Sequence, residues 1–239
     1  MTHSPDPPAG EFGETASEVV SDLPAEAIRP SVKSEVAARI VARKRPRPGE
    51  RRVQILETLA TMLQEPGAER VTTAALAAKL EVSEAALYRH FASKAQMFEG
   101  LIEFIEQSVF TLVNQIVERE PDPAAQVHKV LQVLLQFGEK NPGMTRVMVG
   151  DALVFENERL LVRMNQFFER IESQLRQSLR AHAEALGSTT PTVDANAQAS
   201  ALTSFAVGRL QRFARSGFRK SPTEHLDVAL RLFASPPAV

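Results

Sequence analysis

From Glu50 onward, apolar residues recur at three- and four-residue intervals almost without interruption. That spacing lines up side chains on one face of an α-helix. The pattern predicts helices over Glu50–Gln64, from Thr72 or Thr73 to Lys79, Ser83–Phe91, Ser93–Arg119 and Pro123–Lys140. A short helix from Pro142, then Asn157–Leu186, Val193–Ser216 and Pro222–Phe233, complete the series. No convincing strand and no internal repeat interrupts it. The expected fold class is all-α, with about nine helices.

Local punctuation supports these boundaries. Pro66-Gly67, Pro121, Asn141-Pro142-Gly143 and Gly187 fall where the periodic runs end. Ser83 is placed to cap the third helix, and Ser93 with Gln96 has the spacing of a capping box. The first helix is expected to bury Val53, Leu56, Leu59, Ala60 and Leu63, and the second Leu76 and Leu80. The fourth carries Met97, Leu101, Phe104, Ile105, Leu112 and Ile116 on its apolar positions.

Residues 72–91 form helix, short turn, helix, preceded by a helix with its own apolar stripe. Three helices of this spacing make a small core that projects the third one. That third helix is too short to be stable alone. Leu87 and Phe91 must turn inward, leaving Ser83, Glu84, Ala85, Tyr88, Arg89 and His90 near the outer side or the end. Ala85 permits close approach to a groove floor. Tyr88 and His90 can donate to phosphate oxygens, as can Thr72 or Thr73 from the start of the second helix. Lys94 is a further phosphate candidate. Glu84 faces phosphate unfavourably, but it can accept from a cytosine amine or complement its own helix dipole.

Charge sharpens the picture. The net charge is −1, yet acids gather in residues 1–30 and bases in residues 31–52. A local basic block is a candidate for a polyanion. Arg51 and Arg52 open the first helix, and with Lys44, Arg45 and Arg47 they are candidates for phosphate or minor-groove contacts. The Pro-, Ala-, Glu- and Ser-rich composition of residues 1–48 reads as a disordered acidic-then-basic arm, with a transient helix at 34–44. Residues 49–92 are then a helix-turn-helix DNA-binding domain, and residues 93–239 a helical dimerisation and partner-binding domain.

The chain has no cysteine, which excludes disulfide and thiolate chemistry. No apolar run approaches a membrane span of about 20 residues, and the first residues lack the blocks of a secretory signal. Histidines are scattered without metal-ligand spacing. No Gly-rich phosphate loop is present. These observations speak against an enzyme, a cofactor or a metal site.

The seventh helix carries Leu160, Met164, Phe167, Phe168, Ile171, Leu175 and Leu179 in one stripe. One neighbour is not expected to hide it, so two copies of the seventh and eighth helices are expected to form a four-helix bundle. Phe167, Phe168, Ile171, Leu175, Leu202, Phe205, Leu210 and Phe213 are the expected dimer residues.

The segment VTTAALAAKLEVSEAALYRHFASKAQMFEGLIEFIEQS resembles the DNA-binding domain of TetR-type regulators, in which a Tyr–x–His–Phe run closes the recognition helix. EKNPGMTRVMVGDALVFENERL (139–160) and NQFFERIESQLRQSLR (165–180) resemble the nucleoid-occlusion branch of that family. The resemblance implies a cytoplasmic, nucleoid-associated protein that binds palindromic double-stranded DNA as a homodimer, with higher order on DNA left open. It also implies that the DNA-bound protein contacts the tubulin-like division protein FtsZ and disrupts its polymers. In that branch the FtsZ tail occupies a groove between the fourth and fifth helices, where this chain presents Phe104, Val133, Phe137, Lys140 and Asn141. Three positions depart from the pattern. Glu81 stands where the family's turn usually has glycine, Leu112 where the branch has a base, and Gln136 where it has glycine. The alternative function is a ligand-responsive transcriptional repressor with the same DNA-binding domain.

Overall fold

In the computed structural model, described over residues 49–65 and 71–234, the helices form with small shifts of boundary. In order they are α1 (Glu50–Gln64), α2 (Thr73–Lys79), α3 (Glu84–Tyr88), α4 (Lys94–Arg119) and α5 (Pro123–Lys140). Then come α6 (Pro142–Met148), a 3-10 turn at Asp151–Leu153, α7 (Glu158–Ala185), α8 (Pro191–Arg215) and α9 (Leu226–Ala234). Every described element is helical, so the chain is all-α. The acidic-then-basic arm, its transient helix and the Pro66-Gly67 stop lie outside the described residues.

The helix starts follow their capping residues. Thr72 Oγ1 accepts from the Ala75 amide at 3.1 Å, Ser83 Oγ from Ala86 at 3.3 Å, and Ser93 Oγ from Gln96 at 3.2 Å. The Gln96 side chain reaches back to the amide of Ala92 at 2.8 Å, one residue before the position a capping box uses. At the end of α2, the Val82 amide donates to the Ala77 carbonyl and the Glu81 amide to the Ala78 carbonyl, each at 3.0 Å. This pair of bonds is a Schellman motif. It holds Glu81 at φ 53°, a left-handed conformation.

α1 to α3 share a small core. Ile55, Leu59 and Leu63 of α1, Leu76 and Ala77 of α2, Leu87 of α3 and Phe91 just beyond it are all buried where these elements pack together. Ile55 takes the buried place expected of Val53, which is exposed. The reason is angular: positions 55, 59 and 63 line one edge of α1, and residue 53 is turned about 200° from residue 55.

Contacts of α1 with α6 and α4 fix this unit to the rest of the chain, and a further set holds α7 to α4. α6 rests on α1 so closely that a Cβ on Gly143 would lie 1.9 Å from the Ala60 carbonyl oxygen. On the other side, α7 grips α4. Arg163 makes a forked pair with Glu106 at 3.0 and 2.6 Å, and Arg159 pairs with Glu99 at 2.8 Å. α5 lies in the middle, packed against α4, α6, α7 and α8.

The central place of α5 corrects two expectations. The α7 stripe is covered within the chain, by α8 on one side and by α5 and α4 on the others. Phe167, Ile171 and Leu175 are consequently buried, as are Leu202, Leu210 and Phe213 of α8. These six of the expected dimer residues are core. Only Phe168 and Phe205 retain partial exposure. Likewise Val133, Phe137 and Asn141 are buried on α5 and its end. Asn141 directs its Nδ2 to the Phe137 carbonyl at 2.8 Å, where it closes the helix. α9 also starts later than expected. Ser221 and Thr223 hydrogen-bond to each other first, and His225 adopts φ 54° before the helix begins.

Candidate nucleic-acid interface

The outer face of α3 is built from the inside out. Leu87 and Phe91 are sunk into the core, which fixes the roll of this five-residue helix. Glu84, Ala85, Tyr88, Arg89 and His90 therefore stand outward. Tyr88, the chain's single tyrosine, keeps 46% of its surface in solvent. Among the described residues the Arg89 side chain meets no carboxylate, so its charge is available to an anion. Ser83 serves its cap with its oxygen, leaving the hydroxyl proton free to donate. Thr72 stands in the same position at the head of α2.

Four predicted DNA residues are occupied within the chain. Thr73 donates its hydroxyl to Glu84 Oε2 at 2.6 Å, tying the head of α2 to the head of α3. That bond gives Glu84 a partner without any base. Lys94 pairs with Glu156, just before α7, and its ammonium lies 5.6 Å from the Phe98 ring centre. It holds the start of α4 to the segment before α7, and its charge is met within the chain. Arg52 stacks its guanidinium 4.1 Å from the Phe91 ring centre and donates to the His90 carbonyl at 3.0 Å. Arg51, one residue earlier, is half-buried. Sequence reasoning missed the Arg52 clamp, although an Arg at the head of α1 and an aromatic at the end of α3 were both visible.

The fourth–fifth helix groove is narrower in content than expected. Phe104 is 36% exposed and its ring centre lies 6.5 Å from that of Phe137. Lys140 is exposed at the end of α5. Phe104 and Lys140 thus present the surface, and Phe137 is its floor. Leu112 is buried in the core. Gln136 faces a different place, a pocket of about 290 Å³ that it lines with Gln132, Thr223, His225 and Leu226.

Comparison with known proteins agrees with this geometry. Residues 55–101 match the family model of bacterial regulatory proteins, tetR family. Residues 122–236 match the SlmA-like, tetracyclin repressor-like C-terminal domain. The chain is 50% identical over 190 residues to the nucleoid occlusion factor SlmA of Vibrio atlanticus, covering 79% of this chain and 96% of that one. It is 53% identical over 186 residues to the SlmA of Photobacterium profundum, covering 77% and 94%. Among solved structures, the fatty acid degradation regulator FadR of Bacillus halodurans shares the fold with a TM-score of 0.64 at 14% identity, covering 81% of this chain and 98% of that one. AibR, solved with isovaleryl coenzyme A and operator DNA, does so with a TM-score of 0.60 at 17% identity, covering 77% and 97%. The chain belongs to the SlmA nucleoid occlusion factors of the TetR family.

Proposed function

We propose that this protein is a nucleoid occlusion factor: as a homodimer it binds palindromic DNA, and in that state it antagonises assembly of FtsZ. The observation that carries the DNA part is α3, anchored by two buried side chains and clamped by Arg52, with Tyr88, Arg89 and His90 turned outward. Tyr88, Arg89, His90, Ser83 and Thr72 take phosphates, and Ala85 lets α3 approach the groove floor. Half identity to curated SlmA proteins over most of their length supports the biological role.

The dimer uses the faces of α7 and α8 that the chain leaves uncovered. On α8 these are Ala197, Ala201, Ser204 and Gly208, exposed small residues at helical spacing. A Cβ on Gly208 would meet nothing within 4 Å. Leu161, Val162 and part of Phe168 add apolar surface from α7. Two α3 helices then address adjacent turns of one duplex, about 34 Å apart. For FtsZ, Phe104 with Phe137 beneath it and Lys140 at the rim suit an extended acidic-apolar tail.

Sedimentation of FtsZ polymers with the protein, with and without its preferred duplex, tests the proposal. Polymers should leave the pellet only when both protein and duplex are present. Intact polymers under all conditions, together with release of DNA by a small acyl ligand, would favour a ligand-responsive repressor instead.

A further inference from the structure

α8 ends through Arg209, Arg212 and Arg215, and the turn beyond it adds Arg219 and Lys220. Arg209 is used within the chain. Its Nη1 donates to the Glu224 carbonyl at 2.7 Å, and its guanidinium lies 4.9 Å from the Phe205 ring centre. Burial lowers its pKa, and the charge of Arg212 lowers it further. The other four cations are exposed. Arg219 turns its Nε to the Ser216 carbonyl at 2.9 Å. Among the described residues, the side chains of Arg212, Arg215 and Lys220 meet no carboxylate.

A helix C-terminus attracts cations, but that attraction fades beyond the last turn. It accounts for Arg212 and Arg215. It does not account for Arg219 and Lys220, which lie past the helix, nor for placing Arg212 against Arg209.

The fold says which end of the molecule these charges occupy. α4 begins directly after the recognition helix, and Lys94–Glu156 and Arg159–Glu99 hold the start of α7 against its first turns. α8 returns antiparallel to α7 after a short turn, so its last residues come back to the DNA-binding end. Leu210 seats on Gly138, just before α6, and α6 rests on α1. The exposed stripe Ala197, Ala201, Ser204 and Gly208 runs on at helical spacing into Arg212 and Arg215. In a dimer packed on that stripe, cations of both copies gather at the two-fold axis and repel one another. A polyanion at that end relieves the repulsion.

We infer that Arg212, Arg215, Arg219 and Lys220 form a second DNA contact, which takes phosphates between the two half-sites without reading their sequence. The inference rests on the DNA-binding and dimer readings above. Its partner chemistry is the duplex backbone, favoured over an acidic polypeptide because the cluster shares the recognition helix's end of the molecule.

The test is an anisotropy titration of the full chain at several salt concentrations. Two probes are used: the preferred duplex and a random duplex of about 30 base pairs, long enough for both half-sites and flanks. The variant carries Arg212→Gln, Arg215→Gln, Arg219→Gln and Lys220→Gln together. Both affinities should fall by the same factor, roughly tenfold or more at low salt. The slope of log K against log salt should become shallower by about 2 or more, since each neutralised phosphate contributes about 0.9. Unchanged affinity and slope on both duplexes would overturn the inference, and so would a loss confined to the preferred duplex. Retained duplex binding with lost binding to poly-glutamate would reassign the cluster to an acidic protein and overturn it too. Lys220→Gln alone, outside any helix, serves if the fourfold variant misfolds: a slope reduced by about 1–2, one contact from each copy, supports the contact and an unchanged slope overturns it. Tyr88→Ala separates the two readings. If it weakens binding while the cation variant does not, only this inference falls. If the wild-type chain binds neither duplex, the DNA reading itself falls.

Discussion

The guanidinium of Arg52 covers the ring of Phe91 at 4.1 Å and donates to the carbonyl of His90 at 3.0 Å, so the head of α1 holds the tail of the recognition helix. α3 has too few residues to define its own end. Arg52 supplies that definition from outside. Arg52→Ala should lower stability by about 1–2 kcal/mol, combining a charge-assisted hydrogen bond and a partly exposed cation–π contact. Arg52→Lys should recover less than half, because an ammonium cannot stack and fork together. Urea unfolding measures the stability and a salt titration measures DNA binding. Unchanged stability with a shallower salt slope would make Arg52 a phosphate contact instead.

Glu81 bears a cost that glycine would not. Its φ of 53° is imposed by the Schellman bonds at the end of α2. A side chain there costs about 1 kcal/mol relative to glycine. Glu81→Gly should therefore raise the melting temperature by about 2–4 °C without changing the unfolding cooperativity. A lowered melting temperature would mean that the Glu81 side chain contributes more than its backbone costs.

Gly208 separates folding from pairing. Space around it within the chain is open, so Gly208→Arg should leave the protomer folded, with a gain in helix propensity of roughly 1 kcal/mol. The same arginine would keep two α8 helices apart. Sedimentation equilibrium should find a monomer of normal helicity that has lost its affinity for a palindrome. A dimer of unchanged strength would move the interface off this face.

Glu120 gives a pH signature. The hydrogen bond from Lys129, then that from the Asp122 amide, hold its pKa below the ordinary glutamate value of 4.5. Both side chains are largely sheltered, at 16% and 10% exposure. A depressed folded pKa contributes stability that is complete above the unfolded value and is lost as pH falls through the folded one. Glu120→Gln should cost about 1–3 kcal/mol at pH 7, since it strands a sheltered ammonium. The gap to wild type should close below pH 4.5. A gap that stays constant into acid would contradict this account.

Helix starts were the most legible part of the sequence, because a hydroxyl or carboxylate placed before a periodic run has one geometric use. Ser83 and Ser93 cap as their positions suggest, and Thr72, where the start of α2 was open between two threonines, proves to be the cap. The inward pair Leu87 and Phe91 was equally plain, since a two-turn helix has room for one buried edge. What periodicity cannot tell is which neighbour covers an apolar face. Ile171 and Leu175 looked like dimer residues, yet α5 and α8 of the same chain bury them. The face left for a second copy is marked by small residues such as Ala201 and Gly208, which carry little hydrophobic signal. Polar side chains were harder still. Thr73, Glu84 and Lys94 have the chemistry of DNA contacts, but Thr73 and Glu84 bond to each other and Lys94 to Glu156. Such pairings depend on tertiary approach across 11 and 62 residues of chain.

The proposed function requires two recognition helices held at a fixed separation on one duplex. Selection of bound sequences from a pool of random duplexes by the purified chain measures that requirement directly. The enriched sequences should be two-fold symmetric, with half-site centres about one helical turn apart. An enriched pool without symmetry, or no enrichment over the starting pool, would contradict it.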